Sequence, residues 1–195
     1  MLILTVNPGS TSTKIALFED LDLIVNETVR HSQRILSAFD ELIDQLEMRK
    51  NVIVKFLSKN NYTLDQIDGF IGRGGLVKPV KSGIYKVNKE MINDLSSEKY
   101  GGHASNLGGI IVYEMAKSVG KDAFIADPVV VDEMSSVAKI SGLNGISRRP
   151  LWHALNQKAV ARKYADKIGL KYEDVNLIVA HLGGGISVGL HKRGR

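Results

Sequence analysis

Two stretches near opposite ends of the chain share one pattern, and this repeat constrains the fold more than any other feature. Residues 2–12 and 177–187 align without a gap, with Leu, Ile, Gly and Ser coinciding at four positions. Each stretch is an apolar run, a break containing Gly and Ser, and a second apolar run, which predicts strand, turn, strand. The repeat therefore predicts a duplicated fold in which two similar domains each begin with a β-hairpin.

Between the two hairpins, apolar periodicity predicts alternating helices and strands. Strands are predicted at 21–29, 67–71, 83–87 and 123–126, and helices at 34–60, 88–98, 105–119, 133–139 and 149–168, the last with Pro150 in its first turn. Three strands followed by such an alternation indicate an α/β domain. We expect this domain at 1–175, and at 176–195 the first hairpin of a second domain that is then cut off, without its third strand or covering helix.

Composition excludes several classes of site and partner. The 195 residues include no cysteine, which excludes disulfides, thiolate metal sites and a cysteine nucleophile. No apolar run approaches the ~20 residues of a membrane span, and no basic region precedes the apolar start, so we expect a cytoplasmic protein without membrane contact. The net charge of +5 is spread along the chain apart from a basic end at 191–195. It suits an anionic small ligand at least as well as nucleic acid, and we expect no nucleic-acid partner.

The first predicted turn, Asn7–Lys14, has the residues of an anion-binding loop. Gly9 permits a backbone in which several N–H groups point the same way, and Ser10 and Ser12 are among four hydroxyl donors. Lys14 adds a positive charge. The loop lacks the Gly-Lys-Ser/Thr that opens a helix in a Walker motif. Taken alone, the same residues would also suit a plain polar turn.

The second turn, His181–Ser187, contains Gly183, Gly184 and Gly185 in a row. Consecutive glycines allow a ligand to approach the backbone closely. A flexible hairpin tip is the alternative, but two such turns at matched positions of a repeat favour a pair of phosphate-binding turns.

Two further candidates lie beside glycines in the first half of the chain. Arg73 follows an apolar strand, where its planar fork could bind a carboxylate or phosphate, or could simply lie at the surface beside a turn. His103 precedes a predicted helix, whose N-terminus favours an anion. Ser105 or Asn106 could serve there only as the helix cap.

Two more candidates lie in the second half. Asp127 ends a strand, and carboxylates at strand ends of open α/β sheets often face the ligand crevice, although a turn aspartate is equally ordinary. His153 lies in the basic stretch 148–153, where a charged imidazole would stabilise an anionic transition state. It could instead pack, half-buried, beside Trp152. The helix predicted at 34–60 shows no residue suited to chemistry.

Together these segments resemble the acetate kinase and butyrate kinase family. Asn7–Lys14 is similar to the family's opening signature, Asn-x-Gly-Ser-Ser/Thr-Ser-x-Lys, and His181–Ser187 is similar to its second phosphate turn. Acetate kinases have Asn where this chain has Gly184, Gly-Phe-His-Gly where it has 150–153, and Asp-Thr-Ala-Phe-His where it has 127–132. These differences, with the segments 72–79 and 101–108, resemble the butyrate kinase branch.

The resemblance implies an actin-like (ribonuclease H-like) duplicated fold and transfer of the γ-phosphoryl group of ATP, with Mg²⁺, to butyrate or a similar short or branched acid. It implies these roles: Asn7, Gly9, Ser10, Ser12 and Lys14 near the phosphates, with Asn7 near the metal; Arg73 on the substrate carboxylate; His103 and His153 on the phosphoryl group; Asp127 orienting substrate or metal; His181, Gly183, Gly184 and Gly185 on the nucleotide phosphates. Arg73 departs from the acetate kinase pattern, in which the substrate arginine lies a few residues before the Gly-Gly pair.

The resemblance also implies a homo-oligomer, dimer or larger, when full length. Family members are roughly twice as long, and their remaining part holds the adenosine pocket, a second active-site arginine and a metal-associated glutamate. Three alternatives stay open: an acetate, propionate or sugar kinase of the same fold, a non-catalytic nucleotide-binding module, and an inactive fragment.

Overall fold

A computed structural model describes residues 1–183 and 185–195 and divides the chain into two compact units. The first unit comprises residues 1–78 and 83–126, and the second comprises residues 79–82 and 127–195. The division into two compact units does not show that the second is a duplicate of the first. The expected start of a second domain at residue 176 therefore stays a prediction. Among the described residues, no helix has the length and apolarity needed to cross a bilayer.

The first unit is built on a six-stranded mixed sheet. Its strands are β1 (Leu2–Pro8), β2 (Ser12–Glu19), β3 (Asp22–Arg30), β4 (Gly69–Arg73), β5 (Ile84–Lys86) and β6 (Ala123–Ala126). Their order is β3-β2-β1-β4-β6-β5. β1, β2 and β3 form an antiparallel meander, β4 pairs parallel with both β1 and β6, and β5 runs antiparallel to β6. The predicted strands of this unit are thus present within a few residues of their expected bounds.

Four helices lie between these strands along the chain: α1 (Gln33–Leu36), α2 (Leu46–Lys59), α3 (Lys89–Ser96) and α4 (Asn106–Ser118). Asn88 caps α3, because its side chain accepts the Met91 N–H at 2.8 Å. Helix α4 packs closely on β4, where a methyl group on Gly72 would overlap the carbonyl of Gly108. These two glycines therefore set the distance between the helix and the strand that ends at Arg73.

The alternation of side chains along β1 and β2 gives the sheet one apolar face and one polar edge. Leu4, Val6, Ile15 and Leu17 are buried on the side that α2 and α4 cover. Asn7 and Lys14 are partners across the two strands. Both lie on the face opposite to these apolar residues, because successive residues of a strand point to opposite sides. Asn7 and Lys14, at the ends of the first predicted turn, therefore lie next to buried core residues but point away from the core.

The second unit consists of a long irregular segment, helix α5 (Ala154–Lys167) and the hairpin of β7 (Asn176–Leu182) and β8 (Ile186–Lys192). One face of the hairpin packs on α5, with Leu177 and Val179 against the buried side chains of Ala161 and Tyr172. The strand pattern of the hairpin is as predicted.

Two predicted helices of the second unit differ from the structure. Residues 133–139 form only a 3-10 turn at Val137–Lys139, since so short a helix cannot offset the cost of nucleation. The helix predicted from residue 149 begins at Ala154, so Pro150 lies outside it. Trp152 explains the late start: its N–H donates to the Val129 carbonyl at 3.0 Å and its indole N–H to the Val131 carbonyl at 2.8 Å, which anchors this segment outside the helix.

The predicted helix over 34–60 is also interrupted, since only α1 and α2 form there, joined by turns and a short 3-10 segment at Ile43–Gln45. Its apolar spacing continues through the gap, which explains the single helix expected from sequence. Only α2 packs its apolar stripe against the core.

Candidate active site

The loop between β1 and β2 is a tight turn held by its own backbone. The Gly9 N–H donates to the Ser12 carbonyl at 2.7 Å, and the Thr11 carbonyl accepts the His31 N–H at 2.8 Å. Ser10 and Thr11 are exposed at the tip. The loop therefore presents exposed hydroxyl groups on a backbone that is fixed from behind.

Arg73 lies beside this loop, at the end of the neighbouring strand β4. Its Nη1 donates to Asn7 Oδ1 at 3.4 Å. Among the described residues no carboxylate forms an ion pair with it. Burial lowers the pKa of Arg73, yet a guanidinium stays charged at neutral pH. A half-buried cation with an amide as its side-chain partner is suited to an anionic ligand.

His103 shares the neighbourhood of Arg73. Its Nδ1 accepts the Ser105 N–H at 3.1 Å and lies 2.8 Å from Ser105 Oγ, which leaves the ring proton on Nε2. Partial burial, and then the positive charge of Arg73, lower the pKa of His103. His103 is therefore a neutral hydrogen-bond donor beside a fixed cation.

Asn106, the first residue of α4, has a structural role. Its Oδ1 accepts the Leu76 N–H at 2.8 Å and its Nδ2 donates to the Gly101 carbonyl at 2.9 Å. It is almost fully buried. Asn106 thus ties the segment after Arg73 to the segment that carries His103.

Arg49 of α2 holds the first loop from behind, and the sequence prediction missed it. It is fully buried, and its guanidinium donates to the carbonyls of Gly9 and Ser12 and to Thr13 Oγ1, each at 3.0 Å. A signal was present in the sequence: Arg49 stands at helical spacing with the buried residues Ile53, Phe56 and Leu57. A charged residue in an apolar stripe indicates a buried polar partner.

His31 completes this buried polar cluster. Its Nε2 lies 2.8 Å from Thr13 Oγ1, which also accepts from Arg49. Burial first, and the charge of Arg49 second, lower the pKa of His31. The ring is therefore neutral at pH 7, as its position beside a buried cation requires.

In the second unit, Asp127 has an unusual backbone conformation. Its φ of 35° is in the left-handed region, which a non-glycine residue rarely adopts. Its side chain is nearly buried, and Oδ1 accepts a hydrogen bond from Ser82 Oγ at 2.6 Å. Aspartate adopts this region more readily than most residues, and turns often use it there, so the functional role of Asp127 stays a prediction.

His153 and His181 stack on each other at the start of α5 and the end of β7. Their ring centroids are 3.7 Å apart and their planes differ by 6°. Asn156 Nδ2 donates to His181 Nδ1 at 2.9 Å. A methyl group on Gly185 would lie 3.2 Å from His153 Nε2, so a glycine lets the second turn approach the imidazole. In the same turn Gly183 is exposed, and Gly184 lies outside the described residues.

The predicted residues fall into two groups by the unit to which they belong. The first comprises Asn7, Gly9, Ser10, Ser12, Lys14, Arg73 and His103, and the second comprises Asp127, His153, His181, Gly183 and Gly185. That both groups serve one cleft stays a prediction. In the described part of the chain, no cluster of three or more His, Cys, Asp or Glu side chains is arranged to hold a metal ion.

Two curated relatives are similar to nearly the whole of this chain. They are butyrate kinase 2 and butyrate kinase 1 of Clostridium acetobutylicum, each 52% identical over 193 residues. The aligned region is 99% of this chain and 54% of each relative, so the chain spans about half the length of these relatives. No protein-family model matches the chain.

Solved structures agree on the fold. The acetate kinase of Porphyromonas gingivalis matches with a TM-score of 0.69 at 18% identity, and that of Entamoeba histolytica with 0.68 at 15%. A propionate kinase from Francisella tularensis matches with 0.66 at 18%. Each match covers 100% of this chain and between 53% and 55% of the other chain, which confirms the predicted α/β fold class. The resemblance to the acetate kinase and butyrate kinase family is thereby confirmed over essentially the full length of this chain.

Proposed function

We propose that the native polypeptide containing this chain is a carboxylate kinase that transfers the γ-phosphoryl group of ATP to butyrate or a similar short or branched acid. The products are an acyl phosphate and ADP, and the reaction is reversible because an acyl phosphate is a reactive anhydride. The observation that carries the proposal is the 52% identity to two butyrate kinases over 193 residues.

The chemistry of this transfer suits the residues that the two groups contain. A carboxylic acid is already ionised at neutral pH, so the acceptor needs no strong general base. The task is to bring one anion onto the phosphorus of another, which requires positive charge, hydrogen-bond donors and in-line positioning. Arg73, Lys14 and the two histidines His103 and His153 supply such groups.

Each group has a role in the proposal. Arg73 binds the substrate carboxylate with its fork, and His103, beside it, donates to the phosphoryl group. The turns at Asn7–Lys14 and His181–Gly185 bind phosphates through backbone N–H groups, with hydroxyl groups added in the first turn. His153 donates to the phosphoryl group in the transition state, and Asp127 orients the substrate or the metal.

ATP and Mg²⁺ are part of the proposal. Mg²⁺ commonly binds through one or two protein groups and the substrate phosphates. The ligand that this chain would offer is the Asn7 side-chain oxygen, which lies 3.4 Å from Arg73 Nη1. When bound, the metal would neutralise phosphate charge. The proposal includes a cytoplasmic location, where ATP is supplied, and self-association of the full-length protein.

The test is to assay the purified native polypeptide for acyl phosphate formation from ATP, with hydroxylamine trapping. Acetate, propionate, butyrate, isobutyrate and a hexose are compared as acceptors. We expect trapping with the acids and the highest kcat/KM with butyrate or a branched acid. Phosphorylation of the hexose alone would instead indicate a sugar kinase, and ATP binding without transfer would indicate a non-catalytic module.

A further inference from the structure

A chain of hydrogen-bonded side chains runs through the second unit and ends at His153. It passes from Tyr172 to His191, Gln157, Ser187 and His153, over distances of 2.5, 3.0, 2.8 and 2.8 Å. Tyr172, His191 and Gln157 are buried, and Ser187 is half-buried. The burial of Tyr172, His191 and Gln157 suits a supporting role and not direct contact with a substrate.

Which atom donates in each of these hydrogen bonds follows from one backbone carbonyl. Gln157 Nε2 lies 3.1 Å from the Ser187 carbonyl, which can only accept, so the amide nitrogen must face Ser187. Gln157 Oε1 then faces His191 Nε2, which must donate to it. His191 Nδ1 is left as an acceptor for the Tyr172 hydroxyl.

The electrostatics of the buried end agree with this direction. Burial first, and the charge of Lys158 second, lower the pKa of His191, which keeps the ring neutral. Burial raises the pKa of Tyr172 to about 12, so its hydroxyl keeps the proton that it donates.

The count of hydrogen bonds at Ser187 then fixes the proton on His153. A hydroxyl oxygen accepts two hydrogen bonds and donates one. Ser187 Oγ accepts from Gln157 Nε2 at 2.8 Å and from the His153 backbone N–H at 3.3 Å, so both acceptor positions are used. Its own hydrogen remains for His153 Nδ1 at 2.8 Å. The His153 ring therefore accepts at Nδ1 and carries its proton on Nε2, the atom nearer to Gly185.

Gly189 of β8 provides the space for this chain. A methyl group there would overlap Gln157 Oε1 and lie 3.1 Å from His191 Nε2. Its backbone is ordinary strand, paired with Val179, so conformational freedom is not the reason for glycine. The position requires a glycine because the Gln157 amide and the His191 imidazole meet directly beside it.

From this geometry we propose that Gln157 and Ser187 are positioning residues that hold His153 as the Nε2–H tautomer, so that it acts as a neutral hydrogen-bond donor. This departs from the charged imidazole expected from the sequence. The catalytic consequence rests on the proposed phosphoryl transfer, because a donor aimed at the reacting group matters only in that reaction. The wrong tautomer would aim a lone pair, not a donor, at an anionic group.

The direct test is the tautomer of His153 in the native polypeptide. The protein is labelled with ¹⁵N-histidine, and the His153 signal is identified by its loss in His153→Gln. Long-range ¹H–¹⁵N correlation spectra at neutral pH should show Nε2–H. An Nδ1–H ring in the unmodified protein would overturn the proposal without any variant.

Gln157→Leu frees one acceptor position on Ser187, so His153 can donate from Nδ1 and the Nδ1–H form should appear. We expect kcat to fall about tenfold with KM for both substrates unchanged, the scale of losing an outer partner of a functional histidine. Gly189→Ala displaces the same amide and should give the same spectrum, which covers the case that Gln157→Leu does not fold. Val160→Ala, at an exposed position of α5, is the matched control and should change neither readout.

The two readouts separate this inference from the proposed function. If the expected spectra are found but no acid is phosphorylated, the positioning of His153 stands and the carboxylate kinase assignment fails. If acids are phosphorylated but both variants keep a pure Nε2–H ring, Gln157 does not fix the tautomer and the inference is overturned. A fall in kcat without any change of tautomer would also overturn it.

Discussion

At the scale of single residues, two arginines of the first unit show how burial separates binding from support. Arg73 is half-buried and has an amide as its side-chain partner, so its charge remains available to an anion. Arg49 is fully buried and donates hydrogen bonds to the loop backbone and to the side chains of Thr13 and Gln45. The same residue type thus leaves its charge available in one place and holds the protein's own loop in the other.

For Arg73→Ala in the native polypeptide we expect the KM for the carboxylic acid to rise at least tenfold, with a smaller effect on the KM for ATP. A guanidinium fork matches a ground-state carboxylate, and loss of a charged hydrogen bond costs about 1.5–3 kcal/mol. Initial-rate kinetics with both substrates varied will measure this. Arg73→Lys keeps the charge without the fork and should be intermediate. Unchanged KM and kcat for the acid in Arg73→Ala would contradict the assignment.

His153→Ala should mainly lower kcat, about a hundredfold, since a donor near the phosphoryl group acts in the transition state. The KM values should stay within a few-fold of the parent. Steady-state kinetics on the same preparations will show the difference from Arg73→Ala. A change confined to the KM for ATP would instead indicate a ground-state role for His153.

Arg49→Met should destabilise the first unit by about 3 kcal/mol, because the Gly9 carbonyl would lose its guanidinium donor. The Ser12 carbonyl and the Thr13 hydroxyl would each lose one of two partners. Urea denaturation will give the change in unfolding free energy. Arg34→Met is the control, since Arg34 is an exposed arginine on a helix of the same unit and should lie within about 0.5 kcal/mol of the parent. Parent-like stability of Arg49→Met would show that the loop does not depend on this side chain.

At the scale of elements, the turn between β1 and β2 and the segment after β3 meet through Thr13 and His31. The hydroxyl joins a neutral imidazole on one side to a guanidinium on the other, at 2.8 and 3.0 Å. A second positive charge at His31 would lie beside Arg49 in a buried setting. The packing of these elements therefore depends on pH through His31.

We expect stability to fall as pH decreases below about 6.5. The pKa of His31 is lowered from 6.5 in the folded chain, by burial and then by Arg49, so the unfolded chain binds the proton more readily. Stability is thus fully present above pH 6.5 and is lost as pH falls toward the folded pKa, by at most about 1.4 kcal/mol per pH unit for this group.

Urea denaturation at pH 7.5 and 5.5 will measure the change in unfolding free energy. His31→Gln removes the titrating group and should reduce the loss, leaving the part due to other groups such as His191, whose pKa is also lowered. An identical loss in His31→Gln and in the parent would show that His31 is not responsible.

At the scale of the whole molecule, the terminal hairpin has one covered and one uncovered face. Leu177 and Val179 pack toward α5, whereas Ile178, Ile186, Val188 and Leu190 are between 63% and 75% exposed. In the described part of the chain, Ile178, Ile186 and Val188 thus lie on a face that no helix covers. Alternation along the strand places Val179 on the α5 face.

A polypeptide of residues 1–195 alone should therefore self-associate through this face. Size-exclusion chromatography with light scattering should show dimers or larger species at micromolar concentration. Val188→Lys should shift the distribution toward monomer, whereas Val160→Lys, at an exposed apolar position on α5, should not. A monodisperse monomer without substitution would contradict the expectation.

The same polypeptide should bind ATP weakly and form no acyl phosphate from butyrate, because the resemblance puts the adenosine pocket in the part of the relatives that this chain does not span. Phosphate contacts alone are exposed to water and salt and hold a nucleotide poorly. Isothermal titration and the hydroxylamine assay will measure both properties. Turnover comparable to that of the butyrate kinases would show that 195 residues suffice.

The sequence by itself determined the β-hairpins, the α/β class and the family resemblance. These rest on local signals: apolar periodicity, glycine-containing turns and short motifs such as Asn7–Lys14, which depend on neighbours along the chain. Residue types also indicated Arg73, His103 and His153 as candidates, because their chemistry suits anions whatever surrounds them.

Only the tertiary structure decided which polar residues support the candidate site. Arg49 meets Gly9 from 40 residues away, and Gln157 meets Ser187 from 30 residues away, each through hydrogen bonds that no local pattern encodes. The same holds for α5, whose start is delayed to Ala154 by hydrogen bonds from Trp152 to residues 129 and 131. Buried polar groups must find partners wherever the fold brings them, so their pairing becomes visible only when the elements have packed.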